Sequence, residues 1–112
     1  MLVFKIFRRA EWDVLRTEGQ SAGSPDDLRD GFVHLSTAAQ VVATAARHFD
    51  GESDLVLVAL STESLGADLR WEPSRGGQLF PHLYRELRMT DVVWDKSMPL
   101  GASGHILPEG VV

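Results

Sequence analysis

The sequence predicts an α+β domain, a small and mostly antiparallel sheet carrying two principal helices. Leu55-Val-Leu-Val-Ala-Leu60 is a continuous apolar run of the kind found in a central strand buried on both faces. Two further stretches, Glu11–Glu18 and Thr37–Phe49, carry apolar residues at helical spacing. The other apolar segments are short and are separated by Gly-, Pro- and Ser-containing turns, as tightly connected strands are.

Along the chain, Leu2–Phe7 reads as the first strand. Glu11–Glu18 is a helix with Trp12 and Leu15 on one face, and Gly19 supplies its stop. Residues 20–31, rich in Gly, Ser, Asp and Pro, read as a loop, and Phe32–Ser36 as a strand. Thr37 and Gln40 have the spacing of a capping box, in which each side chain satisfies a backbone donor at a helix start. Ala38, Val41, Val42, Ala45 and Phe49 continue the stripe, and Asp50-Gly51 ends it. Residues 61–66 read as one helical turn. Leu69–Glu72 and Phe80–Tyr84 are short strands on either side of Pro73–Gln78, and Val92–Trp94 is the last strand. Residues 1–97 are thus one globular domain, and residues 98–112, Gly-, Pro- and Ser-rich with little periodicity, a flexible tail.

The 112 residues are 44% hydrophobic and 24% charged, the balance of a soluble domain able to bury one core. Without cysteine there is no disulfide scaffold, zinc ribbon, iron–sulfur site or thiol nucleophile. The four histidines have no metal-ligand spacing, so no metal is expected. No apolar run approaches the ~20 residues that cross a bilayer. The first residues lack the order of a signal peptide, so a cytoplasmic protein without membrane contact is expected. A net charge of −5 argues against binding duplex nucleic acid. The charge is uneven, however: between Arg70 and Arg88, four arginines (Arg70, Arg75, Arg85, Arg88) meet only Glu72 and Glu86. Arginine supplies forked donors for phosphate or carboxylate, so the pattern fits a small phosphate-bearing ligand; solvated surface arginines are the plainer alternative.

Three places concentrate reactive groups. In His34-Leu35-Ser36-Thr37, strand periodicity puts His34 and Ser36 on one face beside the start of the capped helix, whose free N–H groups suit an anion. His34 can carry a proton or bond a ligand there; equally, Ser36 and Thr37 serve as caps and His34 is structural. In Arg70-Trp71-Glu72-Pro73-Ser74-Arg75-Gly76-Gly77, Arg70 and Glu72 share a strand face while Leu69 and Trp71 point inward. Glu72 is a candidate base or hydroxyl-orienting group and Arg75 a phosphate ligand, against a plain hairpin with a surface ion pair. In Phe80–Glu86, His82 and Tyr84 share a face and suit a ring or a phosphate, or close a core edge.

Asp26-Asp-Leu-Arg-Asp-Gly-Phe-Val-His-Leu-Ser-Thr37 and Leu69-Arg-Trp-Glu-Pro-Ser-Arg-Gly-Gly-Gln-Leu-Phe-Pro-His-Leu-Tyr84 resemble the hallmark segments of domain-of-unknown-function family 952, small bacterial and plant proteins, from about Val3 to Trp94. The order of elements around Val33-His34-Leu35-Ser36-Thr37 is more distantly similar to the catalytic half of the RNA 2′-phosphotransferases, and so to the ADP-ribosyltransferase fold. That resemblance implies a split sheet with NAD bound in the cleft between two small sheets. It also implies His34 and Ser36 at the ribose, Arg70 or Arg75 at the pyrophosphate and Tyr84 stacked on nicotinamide. Two positions depart from the pattern: the first strand offers only Lys5 where a His or Arg is usual, and the late catalytic Glu falls to Glu72 or Glu86.

Three functional readings follow. One is an NAD- or ADP-ribose-handling transferase with Glu72 stabilising charge at the anomeric carbon. Another is a non-catalytic module that binds a small anion or nucleotide through the same residues. The third is metal-free phosphodiester processing with His34 and His82 as an acid/base pair.

Overall fold

The computed structural model describes residues 1–111, apart from the side chain of Arg75. Strand β1 (Leu2–Arg8) leads into helix α1 (Arg9–Glu18), whose buried face is Trp12 and Leu15 and which ends on Gly19. Then come β2 (Gln20–Ser21), α2 (Pro25–Asp30), β3 (Val33–His34) and α3 (Val41–His48). Strand β4 (Leu55–Ser61) runs into the single turn α4 (Thr62–Leu65), followed by β5 (Leu69–Pro73), β6 (Leu79–Leu83), β7 (Leu87–Arg88) and β8 (Val92–Met98). A final hairpin is made of β9 (Leu100–Gly101) and β10 (Gly104–His105). Among the described residues no helix is long and apolar enough to cross a membrane.

Two antiparallel three-stranded sheets, ordered β1-β4-β8 and β3-β6-β5, carry the architecture, and the α+β class follows. β4 lies between two neighbours, and every residue from Leu55 to Leu60 is buried, because both faces of this sheet are covered. Val3 and Phe7 of β1 join Val56, Val58 and Leu60 of β4 in one cluster with Trp12 and Leu15 of α1 and with Val33, Leu35 and Leu83 of the second sheet. The alternate residues, Phe4 and Ile6 with Leu55, Leu57 and Ala59, pack instead on Val41 and Ala45 of α3. Period-two alternation thus divides one strand between two cores.

Departures from the sequence reading have local causes. The stretch 20–31, expected as loop, contains α2: Ser24 caps it, Pro25 occupies its first turn and Asp27 completes a capping box. The third helix begins at Val41 rather than at Thr37. Ser36 is held extended by a two-way backbone bridge to Phe4, at 2.8 and 2.9 Å, so residues 37–40 must turn before helix can start. Trp71, expected inward, is 40% exposed, because edge strand β5 carries it past the core that Leu69 reaches. Beyond Pro99, where the sequence reads as a tail, the hairpin β9–β10 forms, and Leu107 and Val111 pack against the second cluster. His105 Nε2 meets the Glu52 carbonyl at 2.7 Å.

Candidate functional site

The two sheets meet at the Phe4–Ser36 bridge and part beyond it, leaving a cleft of about 380 Å³ between β1, α2, β3, α3 and β6. Lys5, Asp27, Asp30, His34, Arg47 and His82 are among its walls. The volume lies in the range of small-molecule sites.

Asp27 is the hub. As the third helical residue of α2 its carboxylate takes the Ser24 N–H at 2.9 Å, which is why the sequence places it there. The same carboxylate accepts from Lys5 Nζ at 2.7 Å, from the His34 backbone N–H at 3.1 Å, and meets His34 Nδ1 at 2.6 Å. Its side chain is 1% exposed and that of Lys5 7%. Burial alone would push the Asp27 carboxyl up; the His34 bond, the charge and hydrogen bond of Lys5 and the Ser24 N–H outweigh it and hold the carboxyl well below its ordinary value. A buried lysine ammonium and a buried carboxylate are tolerable only as such a pair.

A second carboxylate–imidazole pair lies directly across the sheet. His34 and His82 are register partners of β3 and β6, with ring centroids 5.5 Å apart. Glu72 Oε1 meets His82 Nδ1 at 2.8 Å and accepts from the Tyr84 hydroxyl at 2.7 Å. The Tyr84 and His82 bonds lower the Glu72 pKa, and Glu72 in turn raises that of Tyr84, so the pair rests as carboxylate and phenol. Phe32 stacks on His82 at 4.1 Å and stands 4.5 Å from the His34 ring, fixing both imidazoles from one side.

The two rings differ in what faces their other nitrogen. His34 Nε2 meets Asp30 Oδ2 at 3.0 Å, so carboxylates face both of its nitrogens, and only imidazolium satisfies both. His82 Nε2 has no hydrogen-bond partner among the described residues. No buried side-chain nitrogen or oxygen is left unpaired among them, so this atom keeps some contact with solvent, and His82 is a lining residue of the cleft. With Nδ1–H directed at Glu72, the neutral imidazole of His82 has its lone pair at Nε2.

The other expected site residues are more dispersed. Ser36 lines the cleft, but its Oγ is 2.9 Å from Thr44 Oγ1 of α3. The Thr37 N–H donates to Gln40 Oε1 at 3.0 Å, which closes the backbone donor expected to receive an anion. Arg70 lies over the Tyr84 ring, 4.6 Å from its centroid, and is not among the residues that line the cleft. The side chain of Arg75 lies outside the described residues. Of the two candidate late acids, Glu72 sits with the histidines, whereas Glu86 lines a separate hollow of about 220 Å³ with Tyr84 and Phe32. Among the described residues no three His, Cys, Asp or Glu side chains form a group able to hold a metal ion.

Sequence reasoning missed Asp27, Asp30 and Phe32 and gave Lys5 no role. Asp27 had a readable signal, Ser24-Pro25-Asp26-Asp27, with capping-box spacing and proline at the helix start. Phe32 had a weaker one, its period-two relation to His34.

Gly23 is the backbone condition for this hub. Its φ is +97°, and a Cβ there would overlap the Asp27 carboxylate. Gly23→Ala is therefore expected to cost about 2 to 3 kcal/mol and to displace Asp27 from His34. Urea unfolding and the His34 ring signals in NMR check both parts; an unchanged urea midpoint would contradict it.

A family model described as "Protein of unknown function (DUF952)" matches residues 6–95. The crystal structure of protein CC0527 from Caulobacter crescentus is similar, at 48% identity, a TM-score of 0.89 and coverage of 94% of this chain and 92% of that one. The solution structure of CC0527 matches at 49% identity and a TM-score of 0.83, covering 93% and 90% of the two chains. No curated protein matches the chain.

Proposed function

The chain belongs to the DUF952 family of proteins of unknown function, so its chemistry has to be read from its own side chains, and we propose that it is an acid–base enzyme acting on a small phosphate-bearing molecule. The observation that carries this is the pair of imidazoles, each tied at Nδ1 to a carboxylate, at directly opposed positions of β3 and β6. A carboxylate at Nδ1 orients each ring; Nε2 of His82 has no protein partner among the described residues and Nε2 of His34 meets only the exposed Asp30, so the two rings can supply a base and an acid.

The roles follow from the hydrogen bonds. His82 Nε2 takes the proton of an attacking hydroxyl or water as its oxygen bonds to phosphorus. His34 gives its Nε2 proton to the departing oxygen as that bond breaks. The pair then exchanges protons with solvent to reset. Lys5 keeps Asp27 ionised, and Arg47, which has no ion-pair partner among the described residues, adds positive potential to the wall.

The test is phosphorus NMR of the protein with a nucleoside cyclic phosphate, against a buffer blank. Cleavage with a bell-shaped dependence of kcat/KM on pH is expected, its acidic limb from His82 as base and its alkaline limb from His34 as acid. No cleavage at saturating concentration overturns the proposal, and binding without cleavage supports the non-catalytic small-anion module instead.

One observation favours the NAD- or ADP-ribose-handling reading: Glu72, held ionised by Tyr84 and by the cleft residue His82, suits the positive charge that develops at a ribose anomeric carbon. An ADP-ribosyltransferase-like ancestry accounts for the split of sheets. Release of nicotinamide from NAD, lost in Glu72→Gln, would favour this reading over the first.

A further inference from the structure

The cleft contains a carboxylate that the chemistry above does not use. Asp30, the last residue of α2, places Oδ2 3.0 Å from His34 Nε2, the atom assigned to meet the departing oxygen. Its Oδ1 accepts from Arg29 Nε at 3.0 Å and its Oδ2 from Arg29 Nη2 at 3.3 Å. We propose that Asp30 is an internal stand-in for the ligand's anionic group, and that binding exchanges its carboxylate for an external phosphate between His34 and Arg29. This rests on the reading that a phosphate meets His34.

The contrast between the two carboxylates on His34 carries the argument. Asp27 is 1% exposed and locked by four donors, two of them backbone N–H groups; it cannot leave without stranding Lys5. Asp30 is 32% exposed, and its partners His34 and Arg29 are 37% and 69% exposed. Exposed ion pairs of this kind contribute little, so the exchange costs little. Rotation of Asp30 frees three donors at once, His34 Nε2–H and the Arg29 Nε and Nη2 groups, while Arg29 stays tethered to Asp26 through Nη1 at 3.2 Å. A ring N–H beside a guanidinium fork is a set that phosphate oxygens satisfy as carboxylate oxygens do. Asp30, Arg29 and His34 all line the cleft.

Affinity for an anion is then reduced by the fraction of molecules in which Asp30 holds the place. The experiment is a titration with inorganic phosphate, followed by the His34 and His82 ring signals in NMR, of the parent protein, Asp30→Ala and Asp26→Ala. Asp26→Ala removes the same charge from the same wall without freeing His34. About fivefold tighter binding in Asp30→Ala, and a clearly smaller gain in Asp26→Ala, is expected. Equal gains in the two variants, or no gain in Asp30→Ala, overturn the role given to Asp30 and leave the anion reading intact. Phosphate that moves neither histidine in any of the three overturns both.

Discussion

Asp27→Ala is expected to lower the free energy of unfolding by about 3–5 kcal/mol, the cost of stranding one partner of a buried ion pair. That is a large part of the ~5–15 kcal/mol that holds a domain of this size together. The magnitude separates Asp27 from the other ion pairs of the protein. Arg16–Asp13 and Arg29–Asp26 are exposed pairs, each within a single helix, and contribute little. Lys5, with a side chain 7% exposed, gains too little hydration to replace the carboxylate it loses. The companion variant is informative: Lys5→Met together with Asp27→Leu removes both charges and should recover the part of the loss due to the stranded ammonium, while the Ser24 and His34 donors stay without their acceptor. Urea unfolding of the parent and the two variants checks this. A loss below about 1 kcal/mol for Asp27→Ala would mean that Lys5 finds another partner and that the hub does not hold the fold.

The same residue sets a pH dependence whose sign is fixed. The folded Asp27 carboxyl titrates below its ordinary value of 3.8, so its contribution is fully present above that value and is lost as pH falls through the folded pKa. Acid should erode the parent's stability from about pH 4 downward, and Asp27→Ala should show a flatter acid limb.

Much of the frame was legible because the responsible signals are local. The run from Leu55 to Leu60 identified a strand covered on both sides, and period-two alternation placed His34 with Ser36 apart from Val33 and Leu35. Trp12, Leu15 and Gly19 marked the first helix and its end. What sequence could not supply is long-range pairing. Lys5 and Asp27 lie 22 residues apart and meet only because β1 is joined to the Ser36 segment by one bridge. His34 and His82 become neighbours through the register of β3 with β6, which alternation alone leaves open. The six-residue helix α2 was hidden in a Gly-, Ser- and Asp-rich stretch, since those residue types favour loops as strongly as they favour helix caps. With α2 unseen, both carboxylates that bracket His34 were unseen as well. The Thr37–Gln40 spacing was a real capping contact, yet it closes a turn rather than opening the helix.

Replacing either imidazole by asparagine is expected to abolish catalysis with the fold intact, and this is the sharpest test of the histidine pair. An asparagine amide places an N–H near the position of Nδ1, so His34→Asn keeps a donor toward Asp27 and His82→Asn one toward Glu72. Neither variant has an atom at Nε2. Each should therefore unfold close to the parent while kcat/KM for the nucleoside cyclic phosphate falls by about 100- to 10,000-fold. The limbs of the pH profile should separate the roles: loss of His82 removes the acidic limb, since a base must be unprotonated to act, and loss of His34 removes the alkaline limb. The double variant should be little slower than the worse single one, because an acid and a base that serve one transition state are not independent. Additive losses would instead describe two residues that act in different steps or merely bind. Retention of parental turnover in either single variant would leave the carboxylate–imidazole pairs as supports of the sheet rather than as its chemistry.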